Sequence, residues 1–160
     1  MWISSIIVDH LRRHFQDANV TVACIYCNYK DQATQNISNL ISSLLKQLVQ
    51  DRYSISDNVK SFYSHHRPRD ARPTLDEFTT ALRSEIQLYS KVFIVVDAFD
   101  ECLEDDETRA KLLGALRALS GTVNVMITSR ELASIARRLE GTKRLDIYAN
   151  DEDVQKYVTD

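Results

Sequence analysis

Three carboxylates stand where chemistry is possible. The apolar run Val92, Phe93, Ile94, Val95 and Val96 leads directly into Asp97, followed by Ala98, Phe99, Asp100 and Glu101. The run is too short and too apolar for a surface helix, so it reads as a buried strand of a parallel sheet. Charged groups are almost never buried unpaired, which places Asp97, Asp100 and Glu101 at the strand's carboxyl end. Open α/β sheets bind ligands at that edge. Carboxylates there can hold a hydrated Mg²⁺ beside a triphosphate and orient an attacking water.

A second run, residues 122–128, ends in Thr128, Ser129 and Arg130. In a parallel sheet these residues emerge at the same edge as Asp97. An arginine there can contact a terminal phosphate and report its loss, or else pair with Glu131 or the acidic cluster. The other constellations read as structural. Cys24 and Cys27 have redox or zinc spacing, but residues three apart on a strand point to opposite faces, so they read as buried core cysteines. His10 and His14 share a helix face without an acidic third ligand and read as surface residues. His65 and His66, with Arg67, Arg69 and Arg72, read as a solvated loop around Pro68 and Pro73. Glu104, Asp105, Asp106 and Glu107 suit the start of the helix they precede.

The elements that must position these groups alternate. Ile3, Ile6, Ile7, Leu11 and Phe15 share a helix face, and residues 20–29 read as a strand. Ile37, Leu40, Ile41, Leu44, Leu45, Leu48 and Val49 form a helical stripe over about 34–51. A shorter helix carries Val59, Phe62 and Tyr63. Thr74 and Glu77 have capping-box spacing ahead of Leu75, Phe78, Leu82 and Ile86. After the acidic strand come a helix with Leu112, Leu113, Leu116 and Leu119, the strand 122–128, a helix over 131–139, a strand over 144–149 and a helix starting near Asp151. The alternation predicts an α/β fold, a three-layer parallel sheet with helices on both faces, in one domain over 1–160.

Composition bounds the function. The 160 residues carry a net charge of −3 and a pI near 5.8, which argues against nucleic acid or an anionic membrane as partner. No apolar run approaches the roughly 18 residues of a membrane span. Three cysteines suggest a reducing compartment, read as cytoplasmic. The three glycines, Gly114, Gly121 and Gly141, all follow the acidic strand and look like helix stops or turns. No glycine-rich phosphate loop therefore exists ahead of Asp97.

The chain resembles the NACHT module of STAND-class P-loop NTPases, in particular the nephrocystin-type N-terminal domain of fungal multidomain proteins. That family's Walker B strand ends in Asp, a small residue, an apolar residue and Asp-Glu, matched by Asp97, Ala98, Phe99, Asp100 and Glu101. Its following strand ends in Thr-Ser-Arg, matched by Thr128, Ser129 and Arg130. The segment from Ala23 to Asp31 resembles its second strand, and the helix around Leu44, Leu45, Gln47 and Leu48 the one after it. The resemblance implies Asp97 at a metal, Asp100 or Glu101 as the group that polarises water, Arg130 and Thr128 at the nucleotide, and Mg²⁺ with ATP or GTP as cofactors of the complete domain.

One departure governs the functional expectation. Residues 4–11 resemble the family's first helix, so its Walker A lysine would fall at or before Met1. The first strand and phosphate loop are then missing, and with them the N–H cradle that holds phosphates. The expected function is a truncated signalling module, not competent for nucleotides as written, with no cofactor of its own and with protein partners or self-association. The alternative is a working NTPase core whose Walker A segment is missing from the gene model. The strands should keep the parallel order 20–29, 92–97, 123–128, and the last should present an open edge.

Overall fold

A computed structural model describes residues 2–15, 19–31, 33–52, 54–67, 72–102, 106–119 and 121–148. The chain divides into two compact units, Met1–Arg130 and Glu131–Asp160.

The first unit is an α/β fold around three parallel strands: β1 (Val20–Tyr26), β2 (Lys91–Asp97) and β3 (Val123–Ile127). Their order is β1-β2-β3, as the sequence predicts, with Tyr26 opposite Asp97 and Val96 opposite Ile127. Among the described residues five helices accompany the sheet: α1 (Trp2–His14), α2 (Ile37–Gln50), α3 (Asp57–His66), α4 (Leu75–Ile86) and α5 (Asp106–Arg117). β2 is the centre, and Val92, Ile94, Val95 and Val96 are all buried. Successive strand residues face opposite sides. Val8 of α1 packs on the side formed by Cys24 and Val95, with Val22 and Met126 beside them. α2 packs against β1 and α4. Its residues Ile41, Leu44 and Leu48 are fully enclosed, as are Leu82 and Ile86 of α4. Each such side chain contributes roughly 1.5–3 kcal/mol of burial.

The element ends have local causes. β1 stops at Tyr26, short of the expected 29, because Asn28 builds a turn: its side-chain oxygen takes the N–H of Lys30 at 3.0 Å and its amide reaches Asp31 at 2.9 Å. α2 starts at Ile37 because Asn36 caps it, accepting from the N–H of Asn39 at 2.9 Å. Thr74 and Glu77 form the predicted capping box of α4. The two outer strands end differently. Gln47 of α2 turns its side-chain amide onto Cys24, accepting from its N–H at 2.9 Å and donating to its carbonyl at 2.8 Å. One side-chain amide thus substitutes for a neighbouring strand on β1. Among the described residues no strand pairs with the outer side of β3, and Val125 is exposed there.

Several expectations are corrected. The inward face of α1 is Ser4 and Val8, while Ile3 and Ile6 are exposed. The buried hydroxyl is tolerated because Asp97 accepts its hydrogen. His65 and His66 belong to α3, not to a loop, and His66 lies 3.5 Å from Glu77. Gly114 lies inside α5, with open space where a Cβ would sit, and stops nothing. Pro68, Arg69, Glu104 and Asp105 lie outside the described residues.

The second unit contains α6 (Ala133–Arg138), followed by Gly141 at φ +80°, the left-handed region that favours glycine. The expected strand over 144–149 is absent across its described part, 144–148. Leu145 and Ile147 do alternate, but both are exposed, and Arg144 pairs instead with Asp146 at 2.5 Å and Glu131 at 3.0 Å. Alternation makes a strand only where backbone partners exist. The helix expected from Asp151 lies outside the described residues.

Candidate functional site

The end of β2 turns sharply to present its carboxylates. Ala98 sits in the left-handed region at φ 53°, ψ 49°, a conformation that costs a non-glycine residue energy and suits a small side chain. Phe99, Asp100 and Glu101 then form a 3-10 turn, anchored by Phe99, which is wholly buried. Thr128 stitches the turn to β3. Its N–H donates to the Val96 carbonyl at 2.9 Å, and its own carbonyl accepts from the N–H of Phe99 at 2.9 Å. Its hydroxyl accepts from the N–H of Ala98 at 3.0 Å and donates to Asp97 Oδ1 at 2.7 Å.

Asp97 is therefore held by two hydroxyls, Thr128 from β3 and Ser4 from the first turn of α1, both on Oδ1. Burial alone would raise its carboxyl pKa. The hydrogen bonds from Ser4 and Thr128 outweigh burial and hold it below the usual carboxylate range. Asp100 is engaged differently. Its Oδ1 accepts the N–H of Arg130 at 3.0 Å and its Oδ2 the Arg130 Nε–H at 2.5 Å. Burial opposes ionisation here too, and the Arg130 guanidinium and N–H overcome it, so this carboxyl also lies low. Arg130 is correspondingly raised by Asp100. Glu101 is only half-buried, and its carboxylate meets the N–H of Tyr29 at a long 3.4 Å. Ser129 points its hydroxyl at the Arg130 carbonyl, 2.8 Å away, rather than at a carboxylate.

Asp97, Ala98, Asp100, Glu101, Thr128, Ser129 and Arg130 together line an open pocket of about 240 Å³. The structure thus brings together all five residues singled out by the sequence: Asp97, Asp100, Glu101, Thr128 and Arg130. Three carboxylates face one guanidinium, which Asp100 already engages. Such a pocket attracts a cation and repels a polyphosphate. Among the described residues no three His, Cys, Asp or Glu side chains converge on a metal position.

Two supporting residues were not foreseen. Ser4 has a sequence signal, since it lies four residues before Val8 on the buried face. Arg109 of α5 has none. It is buried, and its Nη2 donates to the carbonyls of Asp100 and of Cys102, the latter at 2.8 Å, while Nε reaches the Cys102 carbonyl at 3.2 Å. It therefore clamps the backbone on both sides of Glu101. The histidine pair His10 and His14 is exposed and stacked, with ring centroids 5.7 Å apart, away from this pocket's lining.

The family described as nephrocystin 3, N-terminal, matches residues 2–130 of the chain. No curated protein and no solved structure matches it. The match spans most of the sequence and ends on Arg130, and the chain belongs to that family.

Proposed function

We propose that this member of the nephrocystin 3, N-terminal family is a NACHT-type signalling module of the STAND class. Its residues 1–160 supply the Walker B and sensor side of a P-loop nucleotide site. By themselves they do not hold or hydrolyse a nucleotide, and they act through protein contacts, with the open edge of β3 as the surface for a partner or a second copy.

The observation that carries this reading is the charge of the pocket. Asp97, Asp100 and Glu101 outnumber Arg130, whose guanidinium is paired with Asp100. A triphosphate needs N–H donors and a cation that these residues lack. A cradle for it has to come from outside this pocket's lining. In a completed site Asp97 would hold hydrated Mg²⁺ and Glu101 would polarise water. Asp100 is the weaker candidate for that role, because both its oxygens serve Arg130. Arg130 and Thr128 would meet the phosphate side. Calorimetric titration of the chain with MgATP and MgGTP tests this. No binding tighter than about 1 mM is expected, less than roughly 4 kcal/mol. A micromolar constant would overturn it.

The second reading is a nucleotide-binding core whose Walker A segment lies outside these residues. The bond from Ser4 to Asp97 favours it, because it brings the first turn of α1 to the pocket. An in-frame Gly-x-x-Gly-x-Gly-Lys-Thr stretch upstream of the first codon would select this reading, and its absence would exclude it. In the restored protein Glu101→Gln should slow hydrolysis while leaving nucleotide affinity intact.

A further inference from the structure

The last turns of α1 carry a pair of side chains that the acidic pocket does not use. His10 and His14 stand one helical turn apart, and the i, i+4 spacing sets both imidazoles on one side of the helix. Both are exposed, and their rings lie nearly parallel, 14° between planes, with centroids 5.7 Å apart. The sheet braces the pair through Phe15. His14 meets Phe15 edge-on, with centroids 4.9 Å apart at 86°, and Phe15 lies 5.2 Å from Phe93 of β2. The N–H of Phe15 donates to the Leu11 carbonyl at 2.9 Å, which closes the backbone turn that carries His14. The neighbouring cation Arg13 gives its guanidinium to Asp9, 2.6 Å away, so its charge is already met.

We propose that His10 and His14 form a two-imidazole site for a divalent transition metal of the Ni²⁺, Cu²⁺ and Zn²⁺ class, with water in the remaining coordination positions. A metal–nitrogen distance of about 2.0–2.1 Å and a near-tetrahedral angle place two ligating rings roughly 5 Å apart, centroid to centroid. The observed 5.7 Å is close to that span. Turning the rings about their outer side-chain bonds aims one nitrogen of each at a shared point, and exposed side chains make such turns freely. Imidazole selects metals of this class over Mg²⁺, which takes oxygen ligands. Among the described residues no group of three His, Cys, Asp or Glu forms a metal site, so the two imidazoles act without a third protein ligand. The affinity is accordingly that of an open surface site, well short of a closed four-ligand one. Only the folded turn holds residues 10 and 14 together. The metal therefore favours the helix whose first turn sets Ser4 on Asp97. The inference stands independently of nucleotide binding.

The test is calorimetric titration of the untagged chain with NiCl₂ at about pH 7.5, beside a titration with MgCl₂. Ni²⁺ should bind with a dissociation constant tighter than about 1 mM. His10→Gln and His14→Gln should each weaken it by roughly tenfold or more, since either change leaves a single imidazole. The double variant His65→Gln, His66→Gln, on α3, should bind Ni²⁺ as the parent does. A second readout uses the parent chain alone. Zn²⁺ should shift the imidazole NMR signals of His10 and His14 together and leave those of His65 and His66 in place, and Mg²⁺ should move none of the four. Absence of Ni²⁺ binding tighter than about 1 mM, in a chain that circular dichroism shows to be folded, would overturn the proposal. So would an affinity unchanged in His10→Gln, or Zn²⁺ shifts confined to His65 and His66. The parent's NMR signals decide the case even where a variant fails to fold.

Discussion

Asp100 and Arg130 form an ion pair that is buried on one side only: the Asp100 side chain is 3% exposed and that of Arg130 79%. The carboxylate is out of water, and the guanidinium reaches to it from the surface. Removing the cation therefore strands a buried charge, whereas removing the carboxylate leaves a solvated arginine.

Arg130→Ala should lower the urea midpoint more than Asp100→Asn does. The double variant should recover part of the Arg130→Ala loss, because no buried charge is then left unpaired. Equal effects from the two single changes would show that Asp100 is better solvated than its burial indicates.

Acid should weaken the fold through Asp97 and Asp100. Both have folded-state pKa values depressed below the unfolded value, near 3.9 for aspartate. Their contribution is complete above that unfolded value and is lost as pH falls through the folded values. Stability from these groups should be flat between about pH 5 and 8 and drop below pH 4. Ser4→Ala and Thr128→Val remove donors to Asp97, so they should lower stability at pH 7 and shrink the acid-dependent part. Urea midpoints measured from pH 2.5 to 7 check this. An acid-dependent loss as large in the variants as in the parent would contradict it.

Arg109→Met should be costly although, among the described residues, its hydrogen bonds go to backbone carbonyls and to no carboxylate. It leaves the carbonyls of Asp100 and Cys102 without their donors, at roughly 1–3 kcal/mol for each buried group. Arg109→Lys should restore only part, because a single ammonium cannot reproduce the planar fork that spans both carbonyls. Equilibrium unfolding gives the comparison, and a change below about 0.5 kcal/mol for Arg109→Met would remove Arg109 from the support of the turn.

Amide exchange should split β3 residue by residue. The Thr122 carbonyl and the Thr128 N–H face β2, so by alternation the amides of Asn124, Met126 and Thr128 point inward and those of Val123, Val125 and Ile127 outward. The inward set should be protected and the outward set fast. β2 should be protected throughout. Val125→Lys should reduce concentration-dependent association seen by sedimentation, as charges do on exposed edges. Uniform protection along β3 in a strict monomer would rule out an open edge.

The sheet was legible because its signals are local. Five apolar residues leading into Asp97 can be little else than a buried strand, and Thr128–Arg130 falls beside it once both strands are parallel. What escaped depends on partners distant in sequence. Ser4 lies off the apolar face that the spacing of Ile3, Ile6, Ile7, Leu11 and Phe15 suggests, and only the fold sets its hydroxyl against Asp97. Arg109 reads as one more helix-surface cation, and only the fold brings two carbonyls to it. The residues 144–149 show the reverse case. Their alternation is a true strand pattern, but no described backbone meets it, and Leu145 and Ile147 remain exposed.

The amide of Gln47, laid against Cys24, also sets a ceiling on assembly. A strand added beside β1 would have to expel a side chain that already occupies the hydrogen-bonding groups it needs. Among the described residues the unpaired side of the sheet is then at β3, and two chains that joined there would use both such sides. Association through these strands would then stop at a pair while Gln47 stays in place.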